Sequence, residues 1–409
     1  MKELEIDREP HEAGLDATRL ERIRTHLGRY VENGHFSGWL MTVARGGSLV
    51  WVGRGGYRDR ERSLTVTDDT IWRLYSMTKP ITAVAAMMLY EEGHFDLNDP
   101  VGKWIEELRA PRVYVSGPAS APVTQAALEP VRVHHLLTHT SGLTYGFQRL
   151  TPVDEIYRSM GYDLAYPEDV SLETAVHDWC SAPLLFQPGS AWNYSVATDV
   201  LGRLIEIWSG ESLDDFVARR ILTPLSMHDT DWYCPEEKHD RLAQLYAYAD
   251  GASVLVPELA DAATRKPKLL AGGGGLVSTA HDYQRFMSML LGSGELDGVR
   301  LLSSRTVKLM TENHLPDGRD LARFARDSFS EVGHTGVGFG LGMSVVANQP
   351  RNKSLTSVGT VAWGGAASTY FWVDPIEELT VGFYTQLLPS WIYPVRREIQ
   401  QLVYASLVD

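Results

Sequence analysis

Residues 74–80 of the chain read Leu-Tyr-Ser-Met-Thr-Lys-Pro and place Ser76 and Lys79 at the start of a helix predicted over residues 78–92. A spacing of three positions puts both side chains on one face of that helix, where the hydroxyl and the amine can touch. A serine attacks only when a neighbouring base takes its proton. A lysine serves as that base only when burial or nearby cations lower its ordinary pKa of about 10.4. The pattern predicts a nucleophile, Ser76, activated by Lys79.

The Ser-x-x-Lys spacing occurs once in the chain, at Ser76, and it also has a purely structural interpretation. At average serine and lysine usage, a chain of this length contains about one such spacing by chance. A serine at this position can also cap a solvated helix without doing any chemistry. The context favours chemistry, because the spacing follows strand-like residues 72–75 and opens a helix. The wider sequence has to separate the two interpretations.

Antiparallel strands are predicted at both ends of the chain. An amphipathic helix over residues 16–34 precedes two β-rich runs, residues 39–45 and 48–54, which Gly46 and Gly47 join in a tight turn with positive φ. Near the C-terminus the pattern predicts strands at 337–346, 368–373 and 379–385 and a closing helix at 390–406. The intervening sequence is helical and loop-rich, with helices predicted over residues 78–92, 196–208 and 213–221.

We therefore expect an α/β fold of the α+β type, with an antiparallel sheet flanked by helices and an inserted, mainly helical domain. The predicted boundaries are residues 1–75 plus 271–409 for the discontinuous sheet domain and residues 76–270 for the helical domain. Ser76 and Lys79 lie at the first boundary, so the active site is expected in the cleft between the two domains.

A series of short motifs, in order along the chain, resembles the penicillin-recognising serine hydrolases. These comprise class C β-lactamases, DD-peptidases and the related family VIII carboxylesterases, which share a β-lactamase/transpeptidase-like fold. The matching segments are residues 74–80, Leu136–Leu143 (LLTHTSGL), Pro188-Gly189, Trp192, Tyr194-Ser195, Gly272–Ala280 (GGGGLVSTA), Phe339–Gly342 and Trp363-Gly364-Gly365. The resemblance covers most of the chain, and it favours the chemical interpretation of Ser76.

The resemblance implies a role for each matching residue. Ser76 is expected to be the acylated nucleophile and Lys79 its activator. Tyr194 is expected to be the proton-transfer partner, either as a phenolate or through Lys79, because a phenol of pKa about 10 needs a nearby cation to act at neutral pH. The backbone amides of Ser76 and Ala366 are expected to form the oxyanion hole.

The third motif is expected on an edge strand facing Ser76. Gly364 and Gly365 would let the substrate approach the backbone closely. Trp363 and Tyr75 are candidates to line the substrate pocket.

Two departures from the family pattern bear on the substrate. In β-lactamases and DD-peptidases the third motif normally begins with a lysine that helps to hold a carboxylate, whereas this chain has Trp363. Their second motif commonly reads Tyr-x-Asn, whereas this chain has Val196 in place of the asparagine. Similarity to family VIII and a neutral aromatic lip at Trp363 favour short-chain, uncharged carboxylic esters. A β-lactamase or DD-peptidase-like amide hydrolase, an acyltransferase with the same acyl-enzyme, and a non-catalytic binding protein remain alternatives.

Composition narrows the range of partners. The 409 residues carry a net charge of −14, which disfavours nucleic acids and anionic membrane surfaces. The first residues have no apolar signal-peptide core and no later run is long and apolar enough to span a membrane, so a cytoplasmic chain is expected.

The sequence indicates no cofactor or metal. His135 and His139 are four residues apart, but no His-Glu-x-x-His pattern accompanies them. The expected partner is a small-molecule ester, and the sequence does not indicate an oligomeric state.

Overall fold

The computed structural model describes residues 4–326 and 329–408, and its central element is an eight-stranded antiparallel sheet. The strands are β1 (Gly38–Arg45), β2 (Ser48–Asp59), β3 (Leu64–Thr65), β4 (Ile71–Arg73), β5 (Arg112–Ser116), β6 (Val123–Ala126), β7 (Tyr246–Ala249), β8 (Ala252–Leu255), β9 (Val277–Thr279), β10 (Glu295–Leu296), β11 (Val299–Arg300), β12 (Val337–Phe339), β13 (Ser344–Val346), β14 (Val361–Gly364), β15 (Tyr370–Asp374), β16 (Leu379–Tyr384) and β17 (Leu387–Leu388). The order across the main sheet is β12-β13-β14-β15-β16-β1-β2-β3. Strands from both ends of the chain therefore form one sheet, as the sequence predicts.

Helices cover this sheet and fill the middle of the chain. They are α1 (Ala17–Glu32), α2 (Thr78–Glu91), α3 (Val133–Leu137), α4 (Pro152–Ser159), α5 (Leu172–Ser181), α6 (Ala197–Ser209), α7 (Leu213–Val217), α8 (Pro257–Asp261), α9 (Ala280–Leu291), α10 (Ser304–Met310), α11 (Leu321–Phe324), α12 (Gln349–Asn352) and α13 (Val395–Tyr404). Among the helices of the described ranges, none is both long and apolar enough to cross a membrane.

The N-terminal hairpin forms as the sequence predicts. Gly46 and Gly47 have φ values of 59° and 80°, which is the backbone that a two-residue mirror-image turn requires. The preceding helix α1 begins after Asp16, whose side chain accepts a hydrogen bond from the backbone N–H of Arg19. Both features are local, and the local sequence predicts both.

The main sheet buries side chains on both faces. Because successive residues of a strand point to opposite sides, Trp39, Met41 and Val43 of β1 join the core beneath α1 and α13. Leu40 and Ala44 join the larger core on the other face, to which α9 and α2 also contribute. The sheet therefore separates an outer helical layer from the layer that carries Ser76 and Lys79.

Helix α2 is the central helix of the larger core. Its residues are buried from Thr78 to Leu89, and it packs against α6. A helix that is apolar all round is stable only when other elements enclose it. Lys79 thus lies in a low-dielectric interior.

The predicted strand over residues 337–346 is wrong in one respect, because it consists of two strands. Strands β12 and β13 pair with each other around residues 340–343. Gly342 has a φ of 94°, and a side chain there would collide with Ala83 of α2. Gly342 therefore marks a reversal of the chain against α2 within the segment that the pattern predicts as one strand.

Three further expectations need correction. Strand β14, which carries Trp363, has two strands beyond it and is not an edge strand. The closing helix begins at Val395 instead of residue 390, because Pro394 disfavours the helical conformation of the residue before it. The helix predicted over residues 213–221 is α7 followed by a turn of wider π-helix at Ala218–Leu222.

The domain boundaries stay a proposal. Strands β1–β3 and β12–β16 of the main sheet lie within residues 1–75 and 271–409, and helices α2–α8 lie within residues 76–270. That distribution is compatible with the predicted division into a sheet domain and a helical domain.

Candidate active site

Ser76 lies in a tight turn between β4 and α2. The 3₁₀ turn Tyr75–Met77 leads directly into α2, and Tyr75 has a φ of 47°, which is unusual for a residue with a side chain. Hydrogen bonds on both sides hold the turn: Leu74 donates its N–H to the carbonyl of Leu276, and the Tyr283 hydroxyl donates to the carbonyl of Met77. Strained backbone of this kind is found where a reactive side chain must be presented in one orientation.

The structure brings Ser76, Lys79 and Tyr194 together. The Lys79 Nζ lies 3.2 Å from the Ser76 Oγ, and the Tyr194 Oη lies 2.6 Å from the same oxygen. Lys79 is fully buried and Tyr194 is 1% exposed, whereas 9% of the Ser76 surface is accessible. The hydroxyl of Ser76 is therefore within hydrogen-bond reach of two groups that can take its proton.

Two more groups hold Lys79. Its ammonium donates to the Tyr145 Oη at 3.0 Å and to the carbonyl of Gly273 at 2.6 Å. Sequence reasoning missed Tyr145, although it lies two residues after the Leu136–Leu143 motif. Gly273 belongs to the glycine run Gly272–Ala280 of the resemblance, and the structure gives its carbonyl a direct contact with the lysine.

Burial determines the protonation states of this cluster. It lowers the pKa of Lys79 to about 8, and the nearby carboxylates of Asp199 and Glu331 oppose that shift. Burial also raises the pKa of Tyr194 well above its ordinary value. Near neutral pH the phenol is therefore uncharged, and Lys79 is the group that readily loses a proton. This favours proton transfer through Lys79 over the phenolate form of Tyr194.

The third motif lies behind Tyr194. The Trp363 indole is fully buried, with its ring centroid 5.5 Å from that of Tyr194 and 5.3 Å from that of Phe339. The prediction that Trp363 forms an aromatic lip does not fit this placement, because the side chain exposes no surface to a substrate. The indole instead packs against the ring of Tyr194.

Gly364 and Gly365 allow protein groups to approach closely. A side chain at Gly364 would meet the guanidinium of Arg396, and one at Gly365 would collide with the carbonyl of Leu74. These contacts bring β14 next to the turn that carries Ser76. The sequence predicts that the glycines make room for the substrate, whereas in the structure they make room for Arg396 and for the turn that carries Ser76.

The predicted oxyanion-hole residue Ala366 follows directly after this motif. It is half-buried, and among the residues that the structure describes no acceptor receives its backbone N–H. An amide without an internal acceptor beside the Ser76 turn is available to a ligand oxygen. Tyr75 is also half-buried and packs with Ala366 in one small apolar cluster, so both candidates lie on the partly open side of the site.

Aromatic rings extend from the buried cluster to the surface. We call Tyr194, Phe329 and Trp391 the aromatic row: Phe329 lies 5.9 Å from Tyr194, and Trp391 lies 4.9 Å from Phe329, between ring centroids. Trp391 is 64% exposed, so the row ends in solvent. The row therefore connects Tyr194 to the protein surface.

His139 lies behind Tyr194 and supports it. The two ring centroids are 5.0 Å apart, and the His139 Nδ1 lies 3.2 Å from the Ser195 Oγ. Burial holds the pKa of His139 well below its usual value, so the imidazole is neutral. Within the described ranges, no three His, Cys, Asp or Glu side chains cluster in a way that suits a metal ion.

Comparison with known proteins identifies the family of the chain. The family model described as Beta-lactamase matches residues 23–405. The chain belongs to the beta-lactamase family. It is 31% identical to the esterase EstB of Burkholderia gladioli over 97% of this chain and 98% of that protein. It is 35% identical to Protein Rv1367c of Mycobacterium tuberculosis over 87% of each chain.

Solved structures show the same fold. EstCE1, described as a hydrolase with promiscuous acyltransferase activity, superposes with a TM-score of 0.80 at 24% identity and covers 95% of this chain and 98% of its own. The β-lactamase/transpeptidase-like fold expected from the ordered motifs is thus confirmed.

Proposed function

We propose that this protein is a serine carboxylesterase that hydrolyses short-chain, uncharged esters through an acyl-enzyme on Ser76. The observation that carries the proposal is the convergence of the Lys79 Nζ and the Tyr194 Oη on the Ser76 Oγ, at 3.2 and 2.6 Å, in a buried site. Relatedness to EstB, which is named an esterase, supports the same reaction class.

In the first half-reaction the Ser76 Oγ forms a bond to the ester carbonyl carbon while its proton passes to Lys79, directly or through Tyr194. The carbonyl oxygen becomes an oxyanion between the amides of Ser76 and Ala366. The carbon–oxygen bond to the alcohol then breaks, and the proton returns through Tyr194 to the leaving oxygen. Alcohol departs and the acyl group stays on Ser76.

In the second half-reaction water replaces the alcohol. Lys79, again uncharged, takes a proton from the water as its oxygen bonds to the acyl carbon. The bond to the Ser76 Oγ breaks, the serine regains its proton, and the carboxylic acid leaves. An alcohol in place of water would yield a new ester, and this acyltransferase alternative is favoured by the similarity to EstCE1, a hydrolase with promiscuous acyltransferase activity.

A β-lactam or peptide substrate is the less favoured alternative. Trp363 stands where amide-cleaving relatives carry a lysine, and the chain has a net charge of −14. Neither feature attracts the carboxylate of a penicillin. We expect hydrolysis of nitrocefin to be slower than that of short esters.

The decisive experiment measures turnover of p-nitrophenyl acetate and butyrate by the wild type and by Ser76→Ala. We expect the substitution to lower kcat by about 1,000-fold or more, because no nucleophile remains to form the acyl-enzyme. Ser159→Ala, at an exposed serine of α4, is the matched control and should leave kcat unchanged. Unaltered turnover by Ser76→Ala would refute the assignment.

Three added measurements test the nucleophile and separate the alternatives. Mass spectrometry after treatment with an alkyl phosphonate should place the adduct on Ser76. A competing alcohol should divert the acyl group to a new ester if the acyltransferase alternative holds, and faster turnover of nitrocefin than of p-nitrophenyl butyrate would favour the β-lactamase.

A further inference from the structure

A buried carboxylate lies next to Lys79 and has no role in the mechanism described above. Asp199 lies in the first turn of α6 and is fully buried. Its Oδ1 accepts a hydrogen bond of 2.9 Å from the backbone N–H of Gly273. Among the described residues, its Oδ2 has no hydrogen-bond partner. A buried carboxylate with one oxygen unsatisfied is costly, so it calls for an explanation.

Gly273 connects this carboxylate to the lysine. While its N–H donates to Asp199, its carbonyl accepts a hydrogen bond of 2.6 Å from the Lys79 Nζ. A side chain at Gly273 would lie 2.5 Å from the Asp199 Oδ2, so only glycine permits this approach. The carboxylate therefore holds a residue whose backbone carbonyl accepts a hydrogen bond from the lysine.

The same helix start is tied to Tyr194. Val196, two residues after Tyr194, donates its N–H to the carbonyl of Thr144, and Asp199 donates its own N–H to the carbonyl of Val196. Asp199 is thus anchored to the segment that carries the tyrosine and, through Gly273, to the lysine. It sits at the junction between the two groups that handle the Ser76 proton.

We propose that Asp199 is a positioning residue, which fixes Lys79 through Gly273 and provides the negative charge that compensates the ammonium when Lys79 takes the proton of Ser76. The proposal rests on the proposed function, since it assigns Asp199 a part in the same proton transfer. Asp199 itself does not touch the substrate or exchange the proton.

The other titratable groups around Lys79 are less suited than Asp199 to compensate the charge of the ammonium. They are Tyr145, Tyr194, His139 and Glu331. Burial keeps the two phenols and the imidazole uncharged near neutral pH, because it shifts the pKa of each away from the charged form. Tyr166, which faces Asp199, is kept neutral in the same way.

Glu331 already has a cationic partner. Its Oε2 accepts a hydrogen bond of 2.7 Å from the Nη1 of Arg396. The Nη2 of the same guanidinium donates to the carbonyls of Gly365 and Thr369. Burial raises the pKa of Asp199 to about 6, so above that pH it is a carboxylate whose counter-charge is Lys79.

The charge on Asp199 has a measurable consequence. A neighbouring negative charge stabilises the ammonium form and so raises the pKa of Lys79, which burial holds at about 8. If the uncharged lysine is the active form, kcat/KM falls below pH 8. Replacing the carboxylate by an amide lowers the pKa of Lys79 further, and the acidic limb of the profile moves to lower pH.

The test compares pH profiles of kcat/KM for p-nitrophenyl butyrate. Asp199→Asn keeps an acceptor for Gly273 but loses the charge, and we expect its acidic limb to lie about 0.5–1 pH unit lower with a plateau reduced about 10-fold. Asp199→Glu restores the charge and should return the limb towards the wild-type position. Asp374→Asn is the control, because Asp374 is another buried carboxylate that accepts from Ser357, Thr360 and Tyr404.

The proposal would be overturned if the acidic limb of the kcat/KM profile lay at the same pH in Asp199→Asn as in the wild type. It would also be overturned if Asp374→Asn shifted the limb by as much as Asp199→Asn. Where a variant folds poorly, the pH dependence of phosphonate labelling reports the same limb from the folded fraction alone. Ser76→Ala run in parallel distinguishes the failures: if it stays active, the proposed function is wrong. If it is inactive while the Asp199→Asn profile is unchanged, only the role of Asp199 is wrong.

Discussion

The two sides of the Ser76 hydroxyl differ sharply in how they are built. On one side Lys79 and Tyr194 are buried and lie 3.2 and 2.6 Å from the Ser76 Oγ, and Lys79 also donates to the Tyr145 Oη and to the carbonyl of Gly273. We call this the proton-transfer side. The residues that solvent reaches are Tyr75 and Ala366, which are half-buried and belong to one small apolar cluster, and Trp391, which is the exposed end of the aromatic row. We call these residues the open side.

The difference separates rate from selectivity. A charge buried without water interacts strongly with its neighbours, so small changes on the proton-transfer side alter the chemical step for every substrate. Exposed apolar surface contributes a modest binding energy that depends on the size of the bound group. Substitutions on the first side should lower kcat uniformly, and those on the second should change the ranking of substrates.

The strongest test of this division removes the base. Lys79→Met keeps the length and apolar stem of the side chain but cannot accept a proton, so we expect kcat for p-nitrophenyl acetate and butyrate to fall by about 1,000-fold alike. Lys103→Met, at an exposed lysine that pairs with Asp99, is the control. Steady-state kinetics at pH 8 provide the measurement, and a loss confined to one ester would contradict a purely chemical role.

A smaller uniform effect is expected from the phenol that sequence reasoning missed. Tyr145→Phe removes one acceptor of the Lys79 ammonium, and the loss of one hydrogen bond of about 1 kcal/mol should lower kcat about 5-fold for both esters. Tyr157→Phe serves as the matched control, because this buried phenol donates to the carbonyl of Trp179 instead. Equal losses in both variants would show that the effect is one of packing.

The sequence predicts the features that depend on local contacts and misses those that depend on distant ones. The Ser76–Lys79 pair depends on helical spacing alone, and the N-terminal hairpin depends on two glycines, so both were predictable. Tyr194 was found through the order of motifs along the chain. The roles of Tyr145 and Asp199 depend on how loops pack around α2, because most tyrosines simply pack and most acidic residues in a first helical turn favour its dipole.

Trp363 illustrates the limit most clearly. The motif Trp-Gly-Gly predicts that Trp363 lies near Ser76, and the structure agrees. The side chain of Trp363 nevertheless points away from the open side. Successive residues of a strand alternate between faces, so its orientation depends on the register of β14 against β13 and β15. Register is set by long-range packing, which the motif alone does not contain.

The smallest and most selective effect is expected at the end of the aromatic row. In the proposed mechanism Tyr194 returns the proton to the alcohol, so a large alcohol group would extend from Tyr194 along Phe329 towards Trp391. Trp391→Ala removes the exposed end of this surface. Aromatic contacts of about 0.5–1.5 kcal/mol correspond to a loss of about 2- to 10-fold.

We therefore expect Trp391→Ala to lower kcat/KM for naphthyl acetate by about 5-fold while methyl acetate changes by less than about 2-fold. Tyr57→Ala is the control, because this exposed ring lies on β2, near the opposite edge of the main sheet from β12 and β13. Both esters carry the same acyl group, so a difference between them reports the alcohol subsite alone. An equal loss of kcat/KM with both esters would show that Trp391 acts on the chemical step, like the residues of the proton-transfer side, and would contradict the division. A loss with naphthyl acetate alone would locate the alcohol group along the aromatic row.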